Sequence, residues 1–107
     1  MSLESFTERV KKVVGTDSGL GKSVKFDLKG DGIVLVDATQ VPNVVSHEDK
    51  EADCTVKISE ANANKMIDGD LNLMAAYMTG KVKVNGDMEL AMKVVQLIAR
   101  RAKEGNV

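Results

Sequence analysis

Aromatic side chains are scarce in this 107-residue chain, which has two phenylalanines, one tyrosine and no tryptophan. Proteins that bind single-stranded nucleic acids stack the bases on aromatic rings, and contact with the phosphate backbone requires an excess of positive charge. Here 15 basic residues stand against 16 acidic ones, and the net charge is -1. We therefore expect no nucleic-acid partner.

Cysteine is almost absent too, and long apolar runs are missing. Cys54 is the single cysteine, so no intrachain disulfide is available and nothing points to secretion. No run approaches the roughly 20 apolar residues that a membrane span needs, and the charged N-terminal stretch contains no apolar signal core. A composition of 43% hydrophobic and 29% charged residues predicts one globular domain, residues 1–107, in the cytoplasm.

The apolar residues follow helical and strand periodicities in turn. A first helix is followed by two alternating strands joined by a Gly-Asp-Gly turn, then by a short strand after Pro42. Another strand, two short helices, a final strand and a long helix complete the chain. The predicted helices are 2–14, 60–67, 72–79 and 87–102, and the predicted strands are 22–29, 33–37, 43–47, 54–58 and 81–84.

The strand faces predict an α+β architecture. Each clearly alternating strand has one apolar face, and the other face carries charged side chains. A mostly antiparallel sheet, solvated on one face and covered by helices on the other, satisfies this pattern. Residues 33–36 are apolar on both faces and are placed toward the middle of the sheet. The charged residues are Lys25, Asp27, Lys57, Lys81 and Lys83.

The long C-terminal helix has an unusually broad apolar surface. It leaves only a narrow polar strip of Lys93, Gln96, Arg100 and Lys103. So wide a surface must cover either an ordinary core or a cavity that another molecule fills. The main apolar row is Met88, Ala91, Met92, Val95, Ile98, Ala99 and Ala102, and Leu90, Val94 and Leu97 widen it.

Residues suited to catalysis or metal binding are few. His47 is the only histidine and lies among charged loop residues, so we interpret it as a solvated side chain without catalytic or metal-binding partners. Cys54 opens an apolar strand and is interpreted as a small buried hydrophobe. The stretch around Gly21-Lys22-Ser23 is not a phosphate-binding loop, because Thr16 stands at the first glycine position and a strand, not a helix, follows. We expect no metal site, no cofactor and no catalytic residues.

Methionines are concentrated in one part of the chain, with Met66, Met74, Met78, Met88 and Met92 on three successive helices. Methionine is flexible and polarisable, which suits a wall that adapts to ligands of different shapes. The alternative is that methionine fills gaps in a core that is short of aromatic rings. Composition by itself favours the second interpretation.

Four stretches together resemble the sterol carrier protein type 2 (SCP-2) domain family, a small lipid-binding and lipid-transfer module. The resemblance covers nearly the whole chain in the family's order. Its most specific part is Gly-Lys-x-Lys-x-x-Gly-Asp followed by an apolar helix. The stretches are VKFDL (24–28) with Gly30–Gly32, ADCTVKI (52–58), MIDGDL (66–71) and GKVKVNGDMELAMK (80–93).

The resemblance implies a five-stranded sheet with helices on one face and an apolar tunnel between them. It also implies a non-enzymatic protein that binds fatty acid, fatty acyl-CoA, phospholipid or sterol. The chain ends without the Ser-Lys-Leu-type tripeptide of peroxisomal members. By position, the implied tunnel-lining residues are Phe26, Leu35, Met66, Ile67, Leu71, Leu73, Met74, Tyr77, Met78, Met88, Met92 and Val95.

Two questions about partners stay open from the sequence. The chain is expected to be a monomeric lipid carrier, and the alternative is an accessory or protein-interaction module, with the wide C-terminal helix making a dimer or partner contact. The first helix, with Leu3, Phe6 and Val10 opposite basic residues, either makes transient contact with an anionic membrane or only packs on the sheet. Packing is the favoured alternative.

Overall fold

The computed structural model describes residues 3–15 and 18–103, which form four helices and five strands. The elements come in the predicted order, and their boundaries differ from the predicted ones by at most two residues. The predicted start of the first helix at Ser2 lies outside the described residues. In chain order the elements are α1 (Leu3–Val14), β1 (Ser23–Asp27), β2 (Ile33–Asp37), β3 (Val44–Ser46), β4 (Cys54–Lys57), α2 (Glu60–Ile67), α3 (Leu73–Met78), β5 (Lys83–Gly86) and α4 (Met88–Lys103).

The five strands form one sheet in the order β3-β2-β1-β4-β5. Strands β1 and β4 are parallel, and the other three neighbouring pairs are antiparallel. This confirms the predicted α+β fold with a mostly antiparallel sheet of five strands. Strand β2, apolar on both faces, is paired on both sides as predicted, and β3, which follows Pro42, lies at the edge.

One face of the sheet is apolar and is packed against the helices. The strand register places Val24 beside Val36 and Cys54, and Phe26 beside Val34 and Val56. Each of these side chains is at most 3% exposed. They form a single cluster with apolar residues of all four helices, so the core lies between the sheet and the helices.

The opposite face of the sheet is less solvated than the alternation predicts. Leu35 lies on it beside Lys25 and is only 5% exposed. Lys25 Nζ donates to Asp49 Oδ1 at 2.8 Å, which places the segment between β3 and β4 against this face. That segment has to pass over β2 and β1 to reach β4, because β4 pairs with β1 and not with β3.

Helix α1 contributes its apolar residues to the core. Phe6, Val10, Val13 and Val14 are buried, so packing on the sheet is confirmed for this helix. Phe6 and Val10 are covered in this structure, and transient membrane contact by this helix stays an untested alternative.

Helix α4 is rotated relative to the predicted apolar row. Its buried side chains are Leu90, Ala91, Val94, Leu97 and Ile98. Met92 and Val95 are half-buried and Met88 is 37% exposed, so the predicted centre of the face lies at its margin. The side chains of Ala99 and Ala102 fall outside the described part of the molecule.

The start of α4 is held by Asp87. Asp87 Oδ1 accepts from the backbone N–H of Leu90 at 3.1 Å, which satisfies one of the free N–H groups of the first turn. Asp87 Oδ2 accepts from Lys22 Nζ at 2.7 Å. These two contacts of Asp87 therefore set the rotation of α4 about its own axis, at the point where the chain leaves β5.

Candidate functional site

A small cavity lies between the covered face of the sheet and the helices. The described residues that line it are all apolar, and its volume is about 20 Å³. Helices α1, α2 and α4, strands β1 and β2, and the loop before β1 contribute to its wall. The lining residues are Phe6, Val10, Val13, Val14, Leu20, Val24, Phe26, Val36, Met66, Ile67, Val94, Leu97 and Ile98.

The size and lining of this cavity limit what it holds in this structure. A cavity needs roughly 10–15 Å³ to admit one water molecule, and an apolar cavity stays dry because a water molecule would find no hydrogen-bond partners. A volume of about 20 Å³ is far too small for an acyl chain. Any ligand with a long apolar chain requires the helices to move away from the sheet.

Polar contacts connect the two helices that form one side of the cavity. Arg9 Nη1 of α1 donates to Asn64 Oδ1 of α2 at 3.0 Å, and Arg9 also forms an ion pair with Asp68. Asn64 is 1% exposed, and its Nδ2 donates to the carbonyl of Glu60 at 3.0 Å. The buried amide is thus satisfied on both sides, and α2 is held with Met66 and Ile67 facing inward.

An open groove of about 390 Å³ lies next to the cavity, between the loop before β1 and the polar strip of α4. Leu20 and Leu97 line both the groove and the cavity. These two leucines therefore form the partition between the apolar interior and the surface. The other groove residues are Ser18, Gly19, Lys93, Gln96 and Arg100.

Three of the predicted tunnel-lining residues, Phe26, Met66 and Ile67, line the cavity. Leu73 belongs to the buried core and Leu71 packs against it, but neither reaches the cavity wall. Met92 and Val95 are half-buried on the flank of α4. The structure therefore brings together only part of the predicted set.

The remaining predicted residues lie away from the cavity. Met74 and Tyr77 are each 41% exposed and Met78 is 81% exposed, so one face of α3 is open to solvent. Met88 is also exposed. Leu35 is on the opposite face of the sheet and is not part of this cavity.

Sequence reasoning missed the contribution of α1 to the cavity wall. Phe6, Val10, Val13 and Val14 supply four of the lining side chains. Their helical spacing is visible in the sequence, but that spacing does not distinguish a helix that lines a cavity from one that only closes the core. Leu20, in the loop after α1, carried no periodic signal at all.

The two candidate reactive side chains are accounted for structurally. Cys54 is fully buried, as predicted, and burial raises the pKa of its thiol to about 11, so the reactive thiolate is suppressed at neutral pH. His47 is exposed, and its Nε2 lies 2.9 Å from Thr7 Oγ1. The Thr7 hydroxyl donates its one proton to the carbonyl of Leu3 at 2.6 Å, so His47 Nε2 is the donor to Thr7.

Neither a metal centre nor a membrane span emerges from the described ranges 3–15 and 18–103. Within them no three His, Cys, Asp or Glu side chains are grouped so that they could hold a metal ion. Within them, too, every helix is too short or too polar to cross a bilayer.

The chain is thus an α+β domain with helices on one face of a five-stranded sheet and a small apolar cavity between the two layers. The chain is a member of the SCP-2 sterol transfer family, whose family model matches residues 4–99. The resemblance stated from the sequence is thereby confirmed.

Sequence relatives support this family assignment over about half of the chain. The sterol carrier protein 2 of Bos taurus is 38% identical over 55 residues, which are 51% of this chain and 10% of that protein. The aligned stretch thus spans only about a tenth of that relative's length.

Solved structures show the likeness of the whole fold. The sterol carrier protein domain 2 of Helicoverpa armigera superposes with a TM-score of 0.74 at 23% identity, covering 94% of this chain and 87% of that one. The sterol carrier protein 2 of Aedes aegypti, in complex with the C16 fatty acid palmitate, superposes with a TM-score of 0.69 at 25% identity, covering 92% and 97%.

Proposed function

We propose that this protein is a non-enzymatic carrier that shields an apolar lipid chain from water between its sheet and its helices. The observation that supports the proposal most directly is the cavity, whose described lining residues are all apolar. The whole domain superposes on a relative that is in complex with palmitate. The ligand classes proposed are fatty acid, fatty acyl-CoA, phospholipid and sterol, and the proposed location is the cytoplasm.

The free energy of such binding needs no covalent or metal chemistry. Burying about ten methylene groups contributes roughly 8 kcal/mol, at ~0.8 kcal/mol each. The loss of translational freedom and the ordering of side chains reduce this gain. A binding free energy of about 8 kcal/mol corresponds to a dissociation constant of about 1 μM. Because these losses reduce the gain, the micromolar range is the tightest binding expected for a chain of this length.

Ligand entry requires the cavity to expand from its present volume of about 20 Å³. The helices are the layer that moves, because the sheet is tied by strand pairing across its full width. Met66 already lies in the wall, and the flexible side chains of Met74 and Met78 stand on an exposed face of α3. We place Met74, Tyr77 and Met78 in the wall of the expanded tunnel, where their burial would offset part of the free energy of opening.

Native mass spectrometry of the freshly purified protein tests the carrier function, combined with solvent extraction and identification of the bound species. The expected result is a monomer that carries an adduct of lipid mass. An adduct-free monomer that also binds no added fluorescent fatty acid or phospholipid contradicts the proposal.

The exposed face of α3 favours a second candidate function, an accessory module that docks on a protein partner. Met74, Tyr77 and Met78 are spaced to share one side of the helix, and Met78 is 81% exposed. Native mass spectrometry and light scattering in solution together distinguish the two candidates. An empty dimer in both measurements supports the accessory module, and a lipid-loaded monomer supports the carrier.

A further inference from the structure

Among the described residues that line the groove beside the cavity, two are basic and none is acidic. Lys93 and Arg100 are exposed and lie seven residues apart on α4, about 10 Å along the helix axis at 1.5 Å per residue. Gln96 and Leu97 lie between them in sequence, and all four line the same groove. An anionic group placed over Leu97 is therefore within reach of two cations and one amide.

The two cations of the groove lack the carboxylate partner that several other basic side chains have in the described part of the chain. Arg9, Lys11, Lys22, Lys25 and Lys50 each have a carboxylate partner. In the part of the chain that the structure describes, neither Lys93 nor Arg100 forms an ion pair. Their positive charge is available to an external anion.

The groove and the cavity are adjacent, and this relationship connects the charge to the apolar interior. Leu20 and Leu97 belong to both walls. Leu20 is half-buried and lies in the loop before β1, next to the positive-φ residues Gly19 and Gly21. Displacing the Leu20 side chain opens a direct path from the basic groove to the apolar cavity.

From this arrangement we propose that the groove is the ligand entrance and that it selects a single-chain lipid with a carboxylate head. The carboxylate binds Lys93 and Arg100 through charge-assisted hydrogen bonds, with Gln96 as a further donor. The acyl chain passes between Leu20 and Leu97 into the cavity. The inference rests on the proposed carrier function and adds to it the entrance and the chemistry of the head group.

The test compares an acid with its uncharged ester. cis-Parinaric acid and its methyl ester have the same fluorescent chain, and each is titrated into the full chain at pH 8. The test variant is Lys93→Gln with Arg100→Gln. The matched control is Lys57→Gln with Lys83→Gln, which removes the same charge from exposed positions on β4 and β5.

For the test variant we expect the affinity for the acid to fall roughly tenfold, since two partly exposed ion pairs are lost. The affinity for the ester should change less than twofold, and the control variant should bind both probes as the wild type does. Equal acid affinity in wild type and test variant overturns the proposed head-group site, and so does an equal loss for acid and ester. If the wild type binds neither probe, the carrier function itself fails, and the entrance with it.

A second variant tests the path independently of the charge. Leu20→Trp adds bulk at a half-buried loop position, and its fold is checked by circular dichroism. We expect acid and ester to bind at least tenfold more weakly, because the indole ring closes the gap beside Leu97. Unchanged binding of both probes by the folded variant overturns the path between Leu20 and Leu97.

Discussion

Phe6 of α1 and Phe26 of β1 meet edge to face, with ring centroids 5.8 Å apart and ring planes at 82°. Both rings are at most 3% exposed, and both line the apolar cavity. The contact joins the helix layer to the sheet at the place where a ligand has to separate them. The stability of the domain and the opening of the cavity therefore depend on the same pair of residues.

Replacing Phe6 with alanine should strongly destabilise the domain. The loss of a fully buried ring and of its aromatic contact is expected to lower the free energy of unfolding by about 3–5 kcal/mol. Urea unfolding followed by circular dichroism measures the change. Met78→Ala serves as the control, because Met78 is 81% exposed and its loss should cost less than about 0.5 kcal/mol. A Phe6→Ala cost below about 1 kcal/mol would contradict the structure.

Val36 and Val34 offer a matched test of where the cavity lies. Both are buried on the covered face of β2, but only Val36 lines the cavity. Val36→Ile should leave the free energy of unfolding unchanged or raise it by up to about 1 kcal/mol, because the added methyl group fills empty space. Val34→Ile should lower it by about 1–3 kcal/mol through overpacking. Equal costs for the two variants in urea unfolding would mean that the cavity is not beside Val36.

Asn64→Ala should loosen the attachment of α2 to α1. The variant deprives Arg9 of the acceptor that lies 3.0 Å from its Nη1, and it should lower the free energy of unfolding by about 1–3 kcal/mol. Asn62→Ala on the same helix is the control, since the Asn62 side chain is only half-buried and a change of about 0.5 kcal/mol or less is expected there. Thermal melts of the two variants distinguish a specific effect of Asn64 from a general effect of helix propensity.

Gly86→Ala should be far more damaging than Gly80→Ala. Both glycines have positive φ, +95° at Gly86 and +80° at Gly80, so each substitution places an L side chain in the left-handed region at a cost of about 1–2 kcal/mol. A Cβ at Gly86 would also come within 2.5 Å of the backbone carbonyl oxygen of Asp53, whereas nothing lies within 4 Å of a Cβ at Gly80. Gly80→Ala should therefore yield a folded protein. Similar melting temperatures for the two variants would show that the β4–β5 contact is looser than in this structure.

The burial of Cys54 should make stability fall in alkaline solution. Its pKa is raised from the ordinary value of 9.0 to about 11 in the folded state, so the unfolded chain releases the proton first. The stability that the neutral thiol contributes is fully present below pH 9 and is lost as the pH rises from 9 toward 11. At pH 10 the loss is roughly 1 kcal/mol, from about one pKa unit at ~1.4 kcal/mol.

Comparison with Cys54→Ala isolates this effect, because the titrating lysines are common to both proteins. Urea unfolding of each protein at pH 8, 9 and 10 gives the difference between their free energies of unfolding. That difference should shrink as the pH rises. A difference that does not vary with pH would show that the thiol is not desolvated.

Most local features of the fold were predictable because they depend on neighbours in the chain. The helix at residues 60–67 ends where expected, and Ser59 caps it by accepting from the N–H of Asn62. The alternation of Val24, Phe26 and Leu28 predicted a half-buried strand, and all three side chains are buried. The family resemblance added the five-stranded sheet, which the strand pairing confirms.

The candidate site was predictable only in part, because its wall is assembled from distant segments. Phe26, Met66 and Ile67 were predicted and line the cavity, whereas the α1 residues and Leu20 were not. Tyr77 and Met78 have the composition of a ligand-binding wall, yet they face solvent in this structure. Their role in ligand binding stays a prediction for the expanded state.

The sequence by itself determined the order of the elements and the apolar face of each strand, since spacing and side-chain chemistry act over a few residues. Only the tertiary structure decided which part of a broad apolar surface is buried. In α4 the row through Leu90, Val94 and Leu97 faces the core, because the helix packs where Asp87 and the sheet direct it. Leu35 is likewise buried on the other face of the sheet, where its neighbour Lys25 is paired with Asp49 of the segment between β3 and β4. Whether a side chain is buried depends on the element that packs against it, and that element comes from a distant part of the chain.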